Sequence, residues 1–581
     1  MALLTPAQLT WRDDQAYASD YDDIYSSKDA QAEVMRNFIA PCGLDAALPE
    51  TLTVGELGFG TGLNFAVLAE RVIKQPNARL HFVSFERHPL SQADWLRAAA
   101  QRRDLSVYQT LERDPLPLLS GWQRRVFADG RIKLSVFHGD VLDGLAQLAE
   151  RSFDAWFLDG FAPSKNLDMW SPVVMAGLAE HSHQGTQLAT FTVAGHVRRG
   201  LEAAGFTVSK IDQRPHKRES IKAVFPSGRP RQKTGLREAL IFGGGIGGAC
   251  LARHLAEAGT DVHLCDPNGI ASGASSMPQV VLHARLLGDG STSAELRAQA
   301  FHYATHFYNR YHENKNAPGG VLQVQGPNLD ADKLTRIATS YDAQKPEQAF
   351  WIQKLAPNAA SELSGVPIPT ASLFFPTARA LALAPICQAL LDHPNIEVHS
   401  APPKIKTDTP QILCAGSASR ELALAAEHLE IKDVFGQLNT LRYSDVKARL
   451  PIVGNGYCVP IEGGAVIGST YEHSPWETER ATEHNLALNA AWLPTDYTQG
   501  GHARQARCIS SDRLALVGHL TENIWIATAF GSMGATLAPF AAAIVASQLL
   551  DEVVPGTPGI AELINPQRFA ERQARRGRRF T

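Results

Sequence analysis

The sequence predicts an α/β protein in which two doubly wound parallel sheets follow one another along a chain of 581 residues. Two stretches carry this prediction, 51–86 and 238–266, because each reads as a strand, a glycine-rich loop, a helix and a second strand that ends on an acid. In such a unit the ligand lies across the carboxyl ends of the strands, where glycines let it approach the backbone closely. A chain of this length exceeds what one hydrophobic core usually serves, so several domains are expected.

Composition and charge narrow the classes of protein to which the chain can belong. Hydrophobic residues make up 44% and charged residues 20%, as in soluble globular proteins, and the net charge of −4 indicates no nucleic-acid partner for the chain as a whole. The seven cysteines include no C-x-x-C pair, which argues against a disulfide framework or a zinc site and for a reducing compartment. The uncharged run 524–550 contains glycines, a proline and many alanines, which favour a strand, a turn and a core helix over a membrane span. We therefore expect a cytoplasmic protein, compatible with a monomer, that has no secretory signal, no membrane partner and no metal.

The glycine stretch in the second half predicts a dinucleotide site. Gly243, Gly245 and Gly248 have the spacing G-x-G-x-x-G, directly after an apolar strand and directly before a helix. The next strand ends on Asp266, whose carboxylate can accept a ribose hydroxyl, while the helix N-terminus offers free N–H groups to a pyrophosphate. The alternative is a tight turn in an ordinary α/β sheet.

The glycine stretch in the first half predicts a different ligand, S-adenosylmethionine (SAM). SAM has no phosphate, so its site needs glycines for close approach and carboxylates for the ribose hydroxyls, the adenine amino group and the ammonium. Glu86 stands where a carboxylate would bind both ribose hydroxyls, and Asp140 stands where one would meet the adenine. A dinucleotide is the competing ligand, but the third glycine is missing from its usual spacing, so we favour a methyltransferase over a dehydrogenase. The predicted SAM contacts are Glu56, Gly58, Gly60, Gly62, Asn64, Glu86 and Asp140.

The segment 159–170 predicts the chemistry of the first half. It begins with Asp159 at a strand tip and continues through an aromatic residue and a proline, which resembles the signature of enzymes that methylate exocyclic or alkyl amines. An alkyl amine with a pKa of about 10 is mostly protonated at neutral pH and is then not a nucleophile. A neighbouring carboxylate can orient it and take its proton, and we assign that role to Asp159. The alternative is a turn acid that caps the next helix.

Two polar stretches flank this half. Residues 1–50 are rich in acids and turn formers and predict a solvated lead-in. Basic residues gather further on, among prolines, at Lys210, Arg214, His216, Lys217, Arg218, Lys222, Arg229, Arg231, Lys233 and Arg237. A solvated linker and a surface for a phosphate backbone are both open interpretations of this basic run.

The end of the chain carries another strand, glycine turn and apolar helix, with Gly531, Met533 and Gly534 in the turn. Such a helix N-terminus can stabilise negative charge on a reduced flavin. A glycine fingerprint at the start of a domain and this unit at its end resemble the layout of glycine- and D-amino-acid-oxidase-like flavoproteins. The resemblance implies that Arg507 binds a substrate carboxylate through two parallel hydrogen bonds. The alternative is an arginine paired at the surface.

Both halves together resemble the MnmC family of bifunctional tRNA 5-methylaminomethyl-2-thiouridine biosynthesis proteins. The resemblance rests on the segments 56–65, 154–170, 189–201 and 217–219. It implies a Rossmann-like SAM methyltransferase domain over 1–225, a basic linker over 226–237 and a DAO-type FAD-dependent oxidoreductase domain over 238–581. In the last of these, the expected FAD-binding segments are about 238–310, 380–430 and 505–581, and the expected β-rich substrate lobe is formed by about 311–379 and 431–504.

The resemblance also implies two successive reactions on a wobble uridine of tRNA. The FAD-dependent half would oxidise the N–CH2 bond of a carboxymethylaminomethyl group, and hydrolysis would leave an aminomethyl group that the other half methylates. Asp159 and Arg507 are then the expected catalytic residues, and a C-terminal basic tail would contact tRNA phosphates: Arg568, Arg572, Arg575, Arg576, Arg578 and Arg579.

Two other functions are consistent with the sequence. One is a fusion protein that acts on free amino acids or amines and has no RNA partner. The other is a tRNA methyltransferase with a degenerate flavin fold, because Met533 stands where members of the family usually carry a basic residue.

Overall fold

The structure is a computed structural model that describes residues 4–12, 15–25, 29–148, 153–216, 218–227, 235–311, 319–343, 350–422, 428–444 and 446–575. The chain divides into two compact units. The first unit contains residues 2–235 and 550–557, and the second unit contains residues 236–549 and 558–581. Most of the predicted basic linker, residues 228–234, lies outside the described residues.

The first unit is an α/β structure. Its strands are β1 (Leu9–Arg12), β2 (Gln15–Ala18), β3 (Asp23–Ile24), β4 (Thr51–Leu57), β5 (Arg79–Glu86), β6 (Gly121–Phe127), β7 (Ile132–His138), β8 (Phe153–Leu158), β9 (Ser182–Thr190), β10 (Thr207–Asp212) and β11 (Glu219–Val224). Its helices are α1 (Ala30–Val34), α2 (Leu63–Ile73), α3 (Gln92–Ala100), α4 (Ser106–Arg113), α5 (Val141–Leu145), α6 (Pro172–Glu180) and α7 (Gly195–Ala203), with a π-helical turn at Met35–Ile39.

The main sheet of the first unit has the strand order β10-β11-β9-β8-β4-β5-β7-β6. Strands β9, β8, β4, β5 and β7 are parallel, and their nearly continuous apolar residues are buried on both faces of the sheet. The order reverses at β4, which pairs with β5 on one side and with β8 on the other. The loops after these three strands therefore meet at one edge, which is where open α/β sheets bind ligands.

A segment from the far end of the chain completes the first unit. Residues 550–557 follow the long helix that ends at Leu549, and Gly556 pairs with Trp122 on the edge strand β6. Val553 packs into the apolar core of this unit. Glu552 accepts a hydrogen bond from Lys133 Nζ at 2.5 Å and lies 3.6 Å from Arg124 Nη1. The sequence predicts these residues as part of the second domain, because no local pattern marks a return of the chain.

Glu552 is expected to stabilise the first unit. Its side chain is 19% exposed, and burial alone would raise its pKa, but the charges of Lys133, His81 and Arg124 outweigh burial and lower the pKa to about 2. Replacing it by glutamine removes the negative charge that Lys133 and Arg124 face, so we expect a loss of about 3 kcal/mol in the free energy of unfolding of this unit. The contribution is complete above the unfolded-state pKa of about 4.3 and declines as the pH falls toward 2.

Calorimetry of the full chain tests this expectation. The unfolding transition of the first unit should move to lower temperature in Glu552→Gln at neutral pH, and the difference from wild type should shrink in acid. Glu562→Gln is the matched control, because Glu562 is an exposed glutamate on a C-terminal helix of the second unit. Equal transition temperatures for wild type and Glu552→Gln at pH 7 would contradict the assigned role.

The second unit combines two large sheets with helices. Its strands are β12 (Glu238–Phe242), β13 (Asp261–Cys265), β14 (Val280–Leu282), β15 (Val321–Gln323), β16 (Gln353–Leu355), β17 (Ser372–Phe375), β18 (Arg379–Leu381), β19 (Ile396–His399), β20 (Gln411–Leu413), β21 (Ile431–Arg442), β22 (Ile452–Val453), β23 (Tyr457–Ile461), β24 (Gly464–Gly468), β25 (Thr498–Ser510), β26 (Leu516–Thr521) and β27 (Ile524–Thr528). Its helices are α8 (Ile246–Glu257), α9 (Thr292–Tyr311), α10 (Ala331–Ser340), α11 (Pro357–Ser364), α12 (Leu383–Leu391), α13 (Ser419–Leu422), α14 (Thr478–Asn489), α15 (Gly534–Leu549), α16 (Pro558–Ile564) and α17 (Gln567–Arg575). Short 3-10 turns lie at Ala274–Ser276, Gly416–Ala418, Ala490–Trp492 and Gly531–Met533.

The two large sheets of the second unit have different patterns. The first has the order β19-β13-β12-β20-β27-β26 and is parallel except for the edge strand β26. The second has the order β16-β17-β15-β22-β23-β24-β21-β25 and is mostly antiparallel. The predicted fold class, a Rossmann-type sheet accompanied by a β-rich lobe, is confirmed.

The uncharged run near the C-terminus forms one helical stretch, 531–549, that is long and apolar enough to cross a membrane. The protein itself buries 72% of its most apolar window. Helix α15 packs against α8 and α9, as the core helix of a globular domain does.

Candidate active sites

A cavity of about 490 Å³ lies at the carboxyl edge of the main sheet in the first unit. Of the residues predicted to contact SAM, five line it: Gly58, Gly60, Asn64, Glu86 and Asp140. Asp159 lines it as well. The strand order explains the grouping, because the register aligns Leu57 at the end of β4 with Phe85 in β5 and Leu158 in β8. The residues that follow these three strands are therefore neighbours.

Glu86 is held in place by backbone donors. Its Oε2 accepts the N–H of Gly60 at 2.9 Å and its Oε1 accepts the N–H of His88 at 2.8 Å. Burial raises the pKa of this carboxyl, and the two backbone hydrogen bonds oppose the increase. Each carboxylate oxygen keeps a further acceptor position, which matches the pair of hydroxyls on a ribose.

Asn64 forms hydrogen bonds with two acids, of which Asp159 lines the cavity and Glu56 does not. Its amide nitrogen donates to Glu56 Oε1 at 2.9 Å and to Asp159 Oδ2 at 2.8 Å. Glu56 is fully buried, also accepts Ser84 Oγ, and does not line the cavity. Burial raises its pKa well above the ordinary value. The structure therefore places Glu56 beneath Asn64, as a residue that orients other site residues, and not at the predicted ligand surface.

Asp159 is the acid best suited to proton transfer in this cavity. Its Oδ1 accepts the N–H of Gly160 at 2.9 Å, and burial raises its pKa to about 6. A base with a pKa near the working pH combines a useful ionised fraction with a favourable proton transfer. Asp140 has a second local role, because its Oδ1 accepts the N–H of Leu142 and caps α5. Gly62 does not line the cavity but lies at the N-cap of α2.

An aromatic group forms another part of the cavity wall. The rings of Tyr21 and Phe161 stack with centroids 4.3 Å apart, and Tyr25 meets Phe161 edge to face at 5.3 Å. Asp23 Oδ2 accepts the N–H of Ala162, which fixes the segment containing Tyr21 and Tyr25 on the loop after β8. The prediction of a solvated lead-in was wrong for these residues. Tyrosines placed at every fourth position were the available signal.

These residues fit SAM as a ligand. The loop after β4 brings bare backbone to the cavity at Gly58 and Gly60, and a Cβ at Gly60 would lie 2.9 Å from the Tyr25 ring. Carboxylates line the cavity from three different strand ends, as a ligand with hydroxyl, amino and ammonium groups requires. Arg87 is the one arginine or lysine among the described residues that line this cavity, and its Nη1 lies 3.8 Å from Asp140 Oδ2, so the wall offers little positive charge for a pyrophosphate.

In the second unit, the glycine loop between β12 and α8 has the geometry of a phosphate-binding turn. A Cβ on Gly248 would lie 1.9 Å from the carbonyl oxygen of Gly243, so only glycine allows the helix to approach the strand this closely. Gly245 is the N-cap of α8, and Asp266 follows β13 with its Oδ2 accepting the N–H of Gly244 at 2.7 Å. The arrangement fits the pyrophosphate and the adenosine ribose of FAD.

Replacing Gly248 with alanine should abolish flavin binding. The added methyl group must displace the backbone of Gly243, which carries the turn that faces the pyrophosphate. We expect the flavin-to-protein ratio to fall at least tenfold, measured by the absorbance of the purified protein. Gly319→Ala is the matched control, because a Cβ there meets no atom within 4 Å. Retention of flavin by Gly248→Ala would contradict the expectation.

Arg507 lies on β25 and is held by backbone carbonyls. Its Nη1 donates to Thr470 O at 3.1 Å and to Phe435 O at 3.4 Å. A Cβ on Gly436 would lie 2.2 Å from this nitrogen, so the bare glycine on β21 gives the guanidinium its space. Desolvation lowers the pKa of Arg507, which nevertheless remains a cation. It makes no ion pair with a carboxylate among the described residues.

Arg285 is a second cation of this region that the sequence analysis missed. Its Nη1 donates to Ser532 Oγ at 3.0 Å, in the turn that contains Gly531, Met533 and Gly534. Although the side chain is exposed, partial desolvation and the charges of Arg297 and Arg507 lower its pKa. Tyr457 is partly buried and lies close enough to Arg285 and Arg507 for both charges to oppose the increase that burial causes in its pKa. No local motif marks Arg285.

Among the described residues, several members of the predicted basic surfaces form ion pairs. Lys210 pairs with Glu219, and Arg214 pairs with Asp212, each within 3 Å. At the C-terminus, Arg568 pairs with Asp512 and Arg572 with Glu430. These two C-terminal arginines therefore hold α17 to its own unit, and their contact with tRNA phosphates stays a prediction. Lys217, Arg229, Arg231, Lys233, Arg576, Arg578 and Arg579 lie outside the described residues.

Comparison with known proteins identifies an enzyme family for each half of the chain. The family model of an S-adenosyl-L-methionine-dependent methyltransferase matches residues 105–226, and that of an FAD dependent oxidoreductase matches residues 238–548. The tRNA 5-methylaminomethyl-2-thiouridine biosynthesis bifunctional protein MnmC of Marinobacter nauticus is 32% identical, over 94% of this chain and 95% of that protein. The chain belongs to the MnmC family. The MnmC protein of Pseudomonas entomophila is 30% identical, over 99% of this chain and 100% of its own length.

Membership of the MnmC family makes this chain a bifunctional enzyme with a SAM-dependent methyltransferase part and an FAD-dependent oxidoreductase part. Among solved structures, glycine oxidase from Geobacillus kaustophilus has 17% identity and a TM-score of 0.49, over 57% of this chain and 99% of that chain. MnmC2 from Aquifex aeolicus has 20% identity and a TM-score of 0.31, over 39% of this chain and 74% of that chain.

Proposed function

We propose that this protein, in the cytoplasm, converts the carboxymethylaminomethyl group of a tRNA wobble uridine into a methylaminomethyl group in two steps. The second unit removes the carboxymethyl group, and the first unit methylates the aminomethyl group that remains. The observation that carries the proposal is the difference in charge between the two sites. Carboxylates line the cavity of the first unit, whereas Arg507 and Arg285, which donates to Ser532 in the C-terminal glycine turn, form no ion pair with a carboxylate among the described residues of the second.

Arg507 and Arg285 match the first substrate, whose side chain ends in a carboxylate. Arg507 is restrained on β25 by the carbonyls of Thr470 and Phe435, so it can present its remaining N–H groups to the two carboxylate oxygens. Held at this end, the substrate would expose its N–CH2 bond for oxidation. FAD, when bound, would be the two-electron acceptor. Water then adds to the oxidised carbon, and glyoxylate and the aminomethyl group separate.

Asp159 matches the second substrate, an alkyl amine. It takes the proton of the ammonium form, so that the nitrogen lone pair is free to accept a methyl group. Asn64 holds the carboxylate, since one of its N–H groups donates to Oδ2. SAM, when bound, supplies the methyl group. The wall formed by Tyr21, Tyr25 and Phe161 offers ring faces to a nucleobase, as proteins that recognise single-stranded RNA do.

Nucleoside analysis of tRNA tests both steps. Purified protein and tRNA that carries carboxymethylaminomethyl uridine are incubated with and without SAM. Without SAM we expect aminomethyl uridine, and with SAM we expect methylaminomethyl uridine. Unchanged nucleoside in both incubations would overturn the oxidative step, and aminomethyl uridine that persists with SAM would overturn the methylation step. Oxidation of free glycine or sarcosine at a comparable kcat/KM would instead support a free amino acid as substrate.

A further inference from the structure

Three ligand-type side chains meet on one face of the parallel sheet in the second unit, apart from the glycine turns. His263 lies on β13, and Glu397 and His399 lie on the edge strand β19. The parallel register pairs His263 with Glu397, and side chains alternate along a strand, so all three project from the same face. His263 and His399 are 20% and 27% exposed, and Glu397 is 69% exposed, so the group opens to solvent at the edge of the sheet.

The distances between the ligand atoms are those of a metal site. His263 Nδ1 lies 3.1 Å from His399 Nε2 and 3.4 Å from Glu397 Oε2, and Glu397 Oε2 lies 3.6 Å from His399 Nε2. Zinc binds histidine nitrogen and carboxylate oxygen at about 2.0–2.2 Å in a tetrahedron, so neighbouring ligand atoms are about 3.3 Å apart. The three observed distances lie on both sides of this value, and the three atoms lie close enough together to share one ion.

A second carboxylate orients one of the imidazoles. Glu238 on β12 faces His263 Nε2 from 3.4 Å through its Oε1, and its Oε2 accepts the hydroxyl of Thr409 at 2.7 Å. An Nε2–H that donates to Glu238 leaves the lone pair of Nδ1 directed at the shared point. Histidine ligands of metals usually donate their other N–H to a carboxylate in this manner.

We propose that His263, Glu397 and His399 bind one divalent transition-metal ion of the zinc class, with water as the remaining ligand. Three protein ligands leave an open position, and two imidazoles with one carboxylate favour zinc over calcium or magnesium. The ion links the edge strand β19 to β13. The backbone carbonyl of His399 accepts the N–H of Asp266 at 3.0 Å, so the link lies beside the acid assigned to the FAD ribose.

This proposal departs from the sequence expectation of no metal. That expectation rested on cysteine spacing, whereas these ligands come from two strands that are 134 residues apart at His263 and Glu397 (397 − 263). In the absence of an ion, the two imidazoles form a hydrogen bond with each other, and a carboxylate oxygen of Glu238 and one of Glu397 each lie 3.4 Å from a ring nitrogen of His263. The experiment separates the two states.

The test uses the full-length holoenzyme without a histidine tag, dialysed against a chelator and titrated with Zn²⁺. We expect one tightly bound ion per chain and a higher melting temperature with zinc. His263→Gln and His399→Gln should each weaken binding at least 100-fold and remove the zinc-dependent shift, and Glu238→Gln should weaken it about 10-fold. His519→Gln, an exposed histidine on β26, is the matched control and should bind as wild type does.

Two measurements keep the result decisive. Flavin content shows whether each variant has folded, and the Co²⁺ spectrum of the wild type reports the ligands even if a variant fails to fold. A spectrum with nitrogen and oxygen ligands and no thiolate charge-transfer band is expected. A thiolate band, zinc binding that is unchanged in both histidine variants, or no binding above that of a control protein would overturn the proposal.

Discussion

Replacing Asp159 with asparagine is expected to reduce the rate of methyl transfer by about 10²- to 10⁴-fold, the usual contribution of a general base. The variant keeps the size of the side chain but cannot take a proton from the amine. The oxidative step should continue, because Arg507 and the glycine turns belong to the other unit. Nucleoside analysis should therefore show aminomethyl uridine that accumulates even with SAM present.

The pH dependence of methyl transfer gives an independent measure of the same group. Burial raises the pKa of Asp159 to about 6, and only the ionised form accepts a proton. Below pH 6, kcat/KM should fall about tenfold per pH unit, and above it this limb should level off. In Asp159→Asn, the remaining kcat/KM should no longer fall below pH 6.

The control for this variant is Asp143→Asn, which removes an exposed carboxylate on α5 outside the cavity wall. It should change neither the rate nor the pH profile. Methyl transfer by Asp159→Asn at more than a tenth of the wild-type rate would show that another group, or water, takes the proton.

Replacing Arg507 with glutamine should reduce the kcat/KM of the oxidative step by about 10²-fold, since a desolvated charge-assisted contact to a carboxylate is worth roughly 3 kcal/mol. The carboxylate is present in the ground state and in the transition state alike. Most of the loss should therefore appear as a higher KM, with kcat changed little. Arg507→Lys should recover part of the loss, because it restores the charge but not the two parallel N–H groups.

Anaerobic flavin bleaching with the tRNA substrate measures this effect directly. Flavin content must first be equal to that of wild type, because Arg507 also donates to Thr470 O and Phe435 O. Arg442→Gln, an exposed arginine at the end of β21, serves as the control. If Arg507→Gln stays within twofold of wild type in kcat/KM, the carboxylate is bound elsewhere, and Arg285 becomes the next residue to replace.

Local pattern was sufficient to predict both doubly wound sheets and several of the residues that meet at their carboxyl edges. Strands that end on acids, with glycine loops between them, predicted that Gly58, Glu86 and Asp159 meet at one edge, and the register of β4 with β5 and β8 brings them there. In the second unit, the glycine spacing and the acid at the end of the next strand likewise predicted that Gly248 and Asp266 lie at one turn, where they contact Gly243 and Gly244. These features follow from the alternation of side chains along a strand and from the backbone space that only glycine leaves. Both the alternation and the glycines can be recognised within one short segment of the sequence.

Packing between distant segments decided the rest. Asn64 donates to Asp159, which lies 95 positions further along the chain. Tyr21, in the segment predicted to be a solvated lead-in, stacks on Phe161 in the cavity wall. Residues 550–557 return to the first unit to place Glu552 beside Lys133. Which partner each of these side chains meets is not marked in its own segment, because whether a polar side chain is paired, buried or free depends on groups that the chain brings to it only when it folds.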